Sequence, residues 1–396
     1  MNYKTYKIAE LIDEIAMGPF GSNIKVECFV DEGIPVLNGS NLDGFILSEK
    51  EFRYVTPEKA SSLKKANAAR GDVVITHRGT LGQIVYIPQT SKYKQYVISQ
   101  SQFRVRCNNK ILPEYMVYYF HTTIGQHKLL SNASQVGVPA LARPSSTFQQ
   151  IEIEVPSIDV QRKVVAIFGA IQDKINCSNK INDNLEQQAA TVFGDWLSKC
   201  TETASIGELS NNILDYTPIA AEMVRLLNSS DVTEGVFPVA PLVPNKDLKG
   251  HFKKRFQFDD ILYSEIRPRN HHYGYVMFDA SEYIASTRLM VIRAITSKVS
   301  PALLYQYLLL PDVEAEFTLK TESRSGTFPQ GNYADMASIM VPYSSIESQS
   351  AVSDVLLQIR KTIAQNQLEN RHLEELRDTL LPHLMSGEID VSAIDI

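Results

Sequence analysis

The segments PVLNGSNLDG at residues 35–44 and VRLLNSSDVTEG at residues 224–235 share nearly the same sequence motif. In each, an apolar pair precedes Asn, two small residues and then Asn or Asp. A phrase that returns after about half of a 396-residue chain indicates an internal duplication, and a duplication decides how the rest of the sequence divides.

Other segments repeat at a similar offset of about 188 residues. They are YKIAELI (6–12) with ASIGELS (204–210), GDVVIT (71–76) with DDILYS (259–264), YVISQSQFRVR (96–106) with YIASTRLMVIR (283–293), and IEVP (153–156) with IMVP (339–342). The chain therefore holds two copies of one unit.

The first part of each copy mixes short strand patterns with one amphipathic helix between loops that contain Gly and Pro. Examples are DVVITH, QFRVRC and the helix PEYMVYYFHTTIGQHKLL in the first copy, and DILYSE, RLMVIR and PALLYQYLLL in the second. This combination predicts an α+β domain at residues 1–156 and another at residues 201–343.

The second part of each copy, at residues 157–200 and 344–396, reads as a long helix whose apolar residues alternate at spacings of four and three. That spacing is the a/d seam of a coiled coil. The seam residues are Val164, Phe168, Ile171, Ile175, Ser178, Asn182, Leu185, Ala189, Val192 and Trp196, and then Val352, Leu356, Ile359, Ile363, Asn366, Asn370, Leu373, Arg377, Leu380 and Leu384.

Polar side chains occupy the same two seam positions in both copies, Ser178 and Asn182 in one and Asn366 and Asn370 in the other. Hydrogen bonds between them would fix the register of a helix pair. Parallel and antiparallel pairing both let polar side chains meet, so the seam alone does not choose between them. The alternative is that each helix packs separately on its own domain.

Recognised catalytic signatures are missing from the sequence. It has no P-loop, no glycine-rich dinucleotide fingerprint, no zinc-protease motif and no nucleophile elbow, and the four cysteines show no metal-ligand spacing. The adjacent pair His271 and His272 admits a metal or catalytic role, but a polar loop is the simpler interpretation. Because these signatures are missing, we expect a binding protein with no catalytic residues, no metal and no cofactor. We also expect it to be cytoplasmic, because no apolar run approaches membrane-spanning length.

The net formal charge of the chain is −6, but the first copy is slightly basic and the second is slightly acidic. Residues 1–156 carry 17 Lys and Arg against 14 Asp and Glu, whereas residues 201–342 carry 13 against 17. A nucleic-acid partner would therefore have to contact a localised stripe of basic and polar side chains, since neither half is basic enough to bind by overall charge.

The arrangement resembles the specificity (S) subunit of type I restriction-modification enzymes, over essentially the whole chain. The resemblance is carried by VPSIDVQRKVVAIFGAI at the start of the first long helix, LEELRDTLLPHLMSGEI at the end of the second, and GPFGSNIK (18–25) with GDVVITHRGTLG (71–82) in the first domain. The second copy departs from the last two phrases, with LDYTP (214–218) and SEIRPRNHHYG (264–274) in their place.

That resemblance implies an α+β protein in which two target recognition domains are separated by two long helices that form an antiparallel coiled coil. Each domain would read one half of a bipartite double-stranded DNA sequence, and the helices would set the spacing and dock two methyltransferase (M) subunits. Restriction (R) subunits are a further partner that it allows, and no membrane partner is implied. Catalysis would belong to the other subunits.

Base-reading residues are expected in loops and are chiefly Arg, Lys, Asn, Gln, Ser and Thr. The candidates in the first domain are Ser22, Asn23, Lys25, Asn38, Ser40, Arg78, Thr80, Gln135 and Arg143. Those in the second are Asn228, Ser230, Arg267, Arg269, His271, Arg324 and Gln330. The alternative for each is that the neighbouring glycines only mark tight turns, which these side chains cap.

NKDLKGHFKKRFQF at residues 245–258 is the one dense basic cluster, and Lys253 and Lys254 lie at its centre. Its functional interpretation is phosphate contact, and its alternative is a solvated charged face. Two other classes of protein also stay open, a stand-alone bipartite DNA-binding regulator or scaffold and an enzyme of unrecognised type.

Overall fold

Two compact units make up the chain in the computed structural model, which describes residues 3–19, 23–134, 137–322 and 330–394. The first unit comprises Met1–Lys174 with Leu373–Ile396, and the second comprises Ile175–His372. Each unit therefore contains one α+β domain and a part of both long helices.

The first unit is built from short strands and short helices, followed by one long helix. Its strands are β1 Lys4–Lys7, β2 Ile12–Met17, β3 Phe29–Val30, β4 Ile34–Val36, β5 Arg53–Val55, β6 Asn67–Ala69, β7 Asp72–Thr76, β8 Ile84–Tyr86, β9 Gln95–Val97, β10 Gln102–Cys107, β11 Ala133–Ser134, β12 Ala140–Leu141 and β13 Glu152–Val155. Its helices are α1 Pro57–Ser62, α2 Pro113–His121, α3 Thr123–Leu130, α4 Pro144–Gln150 and α5 Ile158–Leu197, of which the last continues into the second unit.

The second unit repeats this order. Its strands are β14 Glu202–Ser205, β15 Ser210–Asn212, β16 Met223–Leu227, β17 Leu242–Pro244, β18 Phe252–Lys254, β19 Ile261–Ser264, β20 Tyr273–Tyr275, β21 Tyr283–Ser286, β22 Leu289–Ala294 and β23 Met340–Tyr343. Its helices are α6 Ile206–Leu209, α7 Pro301–Leu308, α8 Pro311–Glu322, α9 Tyr333–Ala337 and α10 Ile346–Ser386, of which the last continues into the first unit.

Sheet topology confirms the duplication strand by strand. The order β2-β10-β7-β8 in the first domain matches β15-β22-β19-β20 in the second, and the pair β1-β13 matches β14-β23. A third sheet has the order β3-β5-β4-β9-β6 in one domain and β17-β16-β21-β18 in the other. In both, the central pair (β4 with β9, β16 with β21) is parallel, and β3 has no counterpart among the described strands of the second domain.

An Asp–Arg pair with a buried carboxylate is also repeated in each domain. Arg106 on β10 donates through Nε to Asp72 Oδ1 at 2.8 Å, and Arg293 on β22 donates to Asp260 Oδ1 at 2.6 Å. Asp72 and Asp260 are 1% and 0% exposed. The first domain adds a buried guanidinium, that of Arg104, whose Nη1 lies 3.6 Å from Asp72 Oδ2.

The two long helices run antiparallel where they pair within each unit. In the second unit Asn366 Nδ2 donates to Asn182 Oδ1 and Asn370 Nδ2 donates to Asn179 Oδ1, both at 2.8 Å, so a rising number on α10 meets a falling number on α5. In the first unit the contact is between Arg377 and Gln172, at 3.2 Å. The pairing direction that the seam alone left open is thus antiparallel.

Seam residues also complete the domain cores. In the first unit Val164 and Phe168 pack in one apolar cluster with Leu381 and Leu384. In the second, Ala189 and Phe193 share a cluster with Val352, Leu356, Ile359 and Ile363. The helices therefore pack on each other and on the domains at once. Among the described helices, none combines the length and apolar content that a membrane crossing requires.

Candidate nucleic-acid interface

A basic cleft of about 760 Å³ lies in the first domain beside the end of α1. Its cationic lining consists of Lys59, Lys64, Lys65 and Arg78, and its described lining contains no Asp or Glu. Within the described residues these four side chains form no ion pair. We call this feature the first-domain cleft. It provides the localised positive surface that an overall acidic chain needs in order to contact phosphate.

Local backbone geometry presents these charges. Lys64 adopts a left-handed φ of 47° directly after α1, and Gly79 has a φ of 91° in the loop that follows β7. His77 borders the cleft and its Nε2 contacts Gln100 O at 3.1 Å. Burial lowers the pKa of His77, so its ring adds no charge near neutral pH. The cleft is therefore charged by lysine and arginine alone.

Two loops that are distant in sequence are joined by backbone hydrogen bonds in each domain. In the first, Gly79 N donates to Pro139 O and Leu141 N donates to His77 O, both at 2.9 Å. In the second, Gly331 N donates to Glu265 O at 2.9 Å. The loop after β7 or β19 and the loop before α4 or α9 thus form one surface, and both loops contain predicted DNA-contacting residues.

The repeated opening phrase forms the same turn in both domains. Asn38 N donates to Asn41 Oδ1 at 2.9 Å, and Asn228 N donates to Asp231 Oδ2 at 2.7 Å. Asn38 Oδ1 also accepts from Ser40 N at 2.8 Å. The side chain of Asn38 is therefore engaged in capping, which is the alternative that the sequence analysis left open, whereas the Asn228 side chain donates through Nδ2 to Asp231 Oδ2 at 3.2 Å.

The structure separates the remaining first-domain candidates. Asn23 and Arg78 line the first-domain cleft, and Lys25 and Thr80 are exposed near it in sequence. Arg143, with a left-handed φ of 48°, lines a different cleft beside α4. Ser22 and Gln135 lie outside the described residues. The cleft lysines at positions 59, 64 and 65 were not predicted, although the adjacent KK after SSL was a readable signal.

Candidates in the second domain are held by acidic partners. Arg269 Nη2 pairs with Glu322 Oε1 at 3.0 Å. His271 contacts Glu234 through Nδ1 and Glu314 through Nε2. These contacts lie in the loop of residues 265–272 between β19 and β20, which we call the second-domain loop.

Other candidates in the second domain lie at its surface. Arg267, Ser230 and Gln330 are exposed, and Gln330 Nε2 donates to Glu265 Oε2 at 3.4 Å. Arg324 lies outside the described residues. These side chains lie in or next to the second-domain loop or the repeated turn, and their contact with DNA stays a prediction.

The prediction that Lys254 contacts DNA phosphate has to be corrected. Lys254 is 3% exposed, and its Nζ donates to Leu289 O at 2.7 Å and lies 3.8 Å from Glu265. Burial is the main cause that lowers the pKa of this ammonium group. Strand alternation places the two lysines on opposite faces of β18, so only Lys253 is exposed to a partner.

Polar seam residues behave unequally. Asn182, Asn366 and Asn370 make the interhelical bonds described above, and Asn370 bonds to Asn179, which the sequence analysis did not nominate. Ser178 is buried, but its Oγ contacts no hydrogen-bond partner among the described residues. The hypothesis that polar contacts set the register therefore depends on the four asparagines of these two hydrogen bonds.

One residue of α10 outside the seam, Arg360, is also buried. Arg360 is 5% exposed because it forms a bidentate pair with Glu186 and its guanidinium lies 4.9 Å from the Tyr305 ring centroid. Within the described residues, no group of three or more His, Cys, Asp or Glu is arranged to hold a metal ion.

Comparison with known proteins shows the family. Residues 4–187 and 240–376 match the family model described as type I restriction modification DNA specificity domain. The HindI specificity subunit of Haemophilus influenzae is 34% identical over 179 residues, which cover 44% of this chain and 39% of that subunit. The MjaIX specificity subunit of Methanocaldococcus jannaschii is 22% identical over 97% of this chain and 93% of its own.

A solved structure supports the fold independently. The S subunit of a type I restriction-modification system from M. genitalium superimposes with a TM-score of 0.60 at 14% identity, over 97% of this chain and 96% of that one. Because the family match extends over more than half of the sequence and recurs in both halves, the chain belongs to the type I restriction-modification DNA specificity family.

Proposed function

We propose that the chain is the non-catalytic, DNA-reading subunit of a type I restriction-modification complex. Each recognition domain reads one half of a bipartite target. The observation that carries this proposal is the loop pairing that recurs in both domains, in which segments distant in sequence form one polar surface beside the same sheet. Loops fixed on a shared frame are how proteins present side chains to base edges.

Charge in the first domain supports the same proposal. The first-domain cleft offers several cations within one concave surface, and Asn23 and Arg78 lie among them. Phosphate contacts from the lysines would position the duplex, while Arg and Asn have the donor geometry that base edges require. In the second domain Arg267, Ser230, Lys253 and Gln330 are the exposed candidates for the corresponding roles.

The experiment is a map of methylated bases in the host genome with and without this gene. We expect the gene to account for a motif of two short half-sites around a fixed gap. Replacing residues 1–155 by the equivalent domain of a relative should change one half-site, and replacing residues 201–342 should change the other. A change of both half-sites by either exchange would reject independent reading.

Docking of two methyltransferase subunits on the helices is the second part of the proposal. In the second unit a groove of about 770 Å³ runs along α5 and α10, lined by Val192, Val355 and Ile359 among polar residues. Val355 is 44% exposed there. An apolar residue exposed in a groove between two helices fits a helix from a partner.

Native mass spectrometry of the complex tests this docking. Val355→Glu should lower the number of bound methyltransferases from two towards one, because it places a charge in the groove. Val26→Glu is the control, since Val26 is 77% exposed in the first domain, away from both long helices in sequence. Two methyltransferases bound to the Val355 variant would contradict the assignment of this groove.

A further inference from the structure

His271 lies between two carboxylates in the second domain. Its Nδ1 is 3.1 Å from Glu234 Oε1, and its Nε2 is 2.9 Å from Glu314 Oε1. An ionised carboxylate only accepts hydrogen bonds, and a neutral imidazole carries only one N–H. Both contacts are therefore hydrogen bonds at the same time only when the ring is an imidazolium.

The contacts tie together three segments of the second domain. Glu234 lies in the turn after β16, Glu314 lies on α8, and His271 lies in the second-domain loop. The backbone adds one bond, from Glu234 N to His271 O at 2.9 Å. Arg267 and His271 have φ values of 49° and 54°, a region that residues other than glycine adopt rarely and only when surrounding contacts hold them.

Charges around the ring favour its protonation. The hydrogen bond to Glu234 is the largest cause that raises the pKa of His271, partial burial opposes it, and Glu314 raises the pKa further. Tyr273 lies beside the ring, with centroids 6.1 Å apart. The nearby cation of the loop, Arg269, is paired with Glu322, and His272 turns its Nδ1 to Val232 O at 2.9 Å.

We propose that His271 is a positioning residue for DNA reading: as an imidazolium it fixes the second-domain loop, and with it Arg267, in the conformation that contacts the second half-site. This inference rests on the proposed function and deepens it, because it makes reading by the second domain depend on pH while reading by the first does not. The ring of His77, in the corresponding loop of the first domain, contacts a backbone carbonyl, and among the described residues it contacts no carboxylate.

The direction of the pH effect follows from the contacts. The pKa of His271 is raised in the folded chain above its ordinary value of 6.5. The contribution of the imidazolium to loop stability is therefore fully present below about pH 6.5 and is lost as the pH rises through the raised pKa. Burial moves the pKa of His77 the other way, which favours its neutral form.

Hydrogen exchange of the full chain tests the loop directly, after correction for the intrinsic effect of pH on exchange rates. Between about pH 6 and about pH 8.5, protection of residues 265–272 and 233–236 should fall at least about tenfold in the wild type.

In the His271→Gln variant these amides should exchange fast at both pH values, whereas in His271→Lys they should stay protected at both, because the charge persists. His251→Gln, at an exposed histidine of the same domain, should behave as the wild type. Equal wild-type protection at both pH values would overturn the proposal.

A second experiment measures DNA binding by the chain in complex with its methyltransferase. The DNA duplexes carry the methylated motif with one half-site altered. At the higher pH the wild type should lose discrimination at the second half-site by several-fold and keep it at the first. The ratio between half-sites removes the pH dependence of the methyltransferase itself. A loop that loosens without any loss of discrimination would also overturn the positioning role. If no bipartite motif exists, the proposed function fails, and the exchange measurement alone decides the loop contacts.

Discussion

The two recognition domains share one sheet topology but hold their loops by different means. In the first domain the loop after β7 is fixed by neutral hydrogen bonds, such as Gln83 Nε2 to Gly39 O at 3.1 Å, and lies beside the lysines of the first-domain cleft. In the second, ion pairs from Glu314 and Glu322 hold the loop. Both domains share the strands and the Asp–Arg pairs, so the loop surfaces can differ while the fold stays the same.

The largest expected effect concerns that shared frame. Asp72→Asn should destabilise the first domain by about 3–5 kcal/mol, because it leaves the buried Arg104 without its second carboxylate. Asp260→Asn should cost about 1–3 kcal/mol, because Arg293, whose side chain is 35% exposed, can turn to water. Hydrogen-exchange protection of β10 and β22 amides in the full chain measures both.

A matched control for these substitutions is Asp43→Asn, at an exposed carboxylate in the first domain. It should change the protection of β10 by less than about 0.5 kcal/mol. Equal losses in the two domains would show that the extra guanidinium of the first domain adds nothing to its dependence on Asp72.

An intermediate effect is expected on DNA affinity. The double variant Lys64→Ala/Lys65→Ala should reduce the slope of log affinity against log salt by about 1.8, and Lys253→Ala by about 0.9, since each phosphate contact contributes about 0.9. The double variant should weaken binding to all sequences on the order of tenfold at physiological salt. Fluorescence anisotropy of the complex with its methyltransferase, across a salt series, measures both quantities.

Lysines elsewhere on the first domain provide the control. Lys92→Ala/Lys94→Ala removes two exposed cations that do not line the first-domain cleft. Its salt slope should equal that of the wild type. If the Lys64/Lys65 variant shows an unchanged slope, or loses affinity for cognate DNA alone, the cleft does not bind phosphate.

Much of the fold could be predicted from the sequence, because duplication and heptad spacing are properties of residue order. The strand pairs GDVVIT/DDILYS and QFRVR/LMVIR occupy equivalent places in equivalent sheets. The direction of helix pairing could not be derived from the seam, because Ser and Asn at repeated positions satisfy either direction. The partners of Asn366 and Asn370, which are Asn182 and Asn179, show that the helices are antiparallel.

The site was less predictable, because the type of a residue does not show what its side chain faces. Lys253 and Lys254 are adjacent in sequence, yet one is exposed and the other is buried in the sheet. His271 was predicted to contact DNA, whereas the structure places its ring between two carboxylates. Arg78 was predicted as a DNA contact because an arginine in a glycine-containing loop is a recognisable local pattern. Its position in the same cleft as Lys64 depends on tertiary structure and could not be predicted.

The smallest expected effect is on the stability of the helix pair, when the residues at one equivalent seam position, Ser178 on α5 and Asn366 on α10, are each replaced by alanine. Asn366→Ala should destabilise the helix pair by about 1–3 kcal/mol, because it leaves the Asn182 amide without its partner. Ser178→Ala should change stability by less than about 1 kcal/mol and towards stabilisation, since the buried Ser178 Oγ has no partner to lose among the described residues. Urea unfolding of the full chain, followed by the exchange of α5 amides near each site, separates the two outcomes. A loss at Ser178 as large as that at Asn366 would mean that the serine hydroxyl is satisfied by water in solution and that both polar seam positions carry the register.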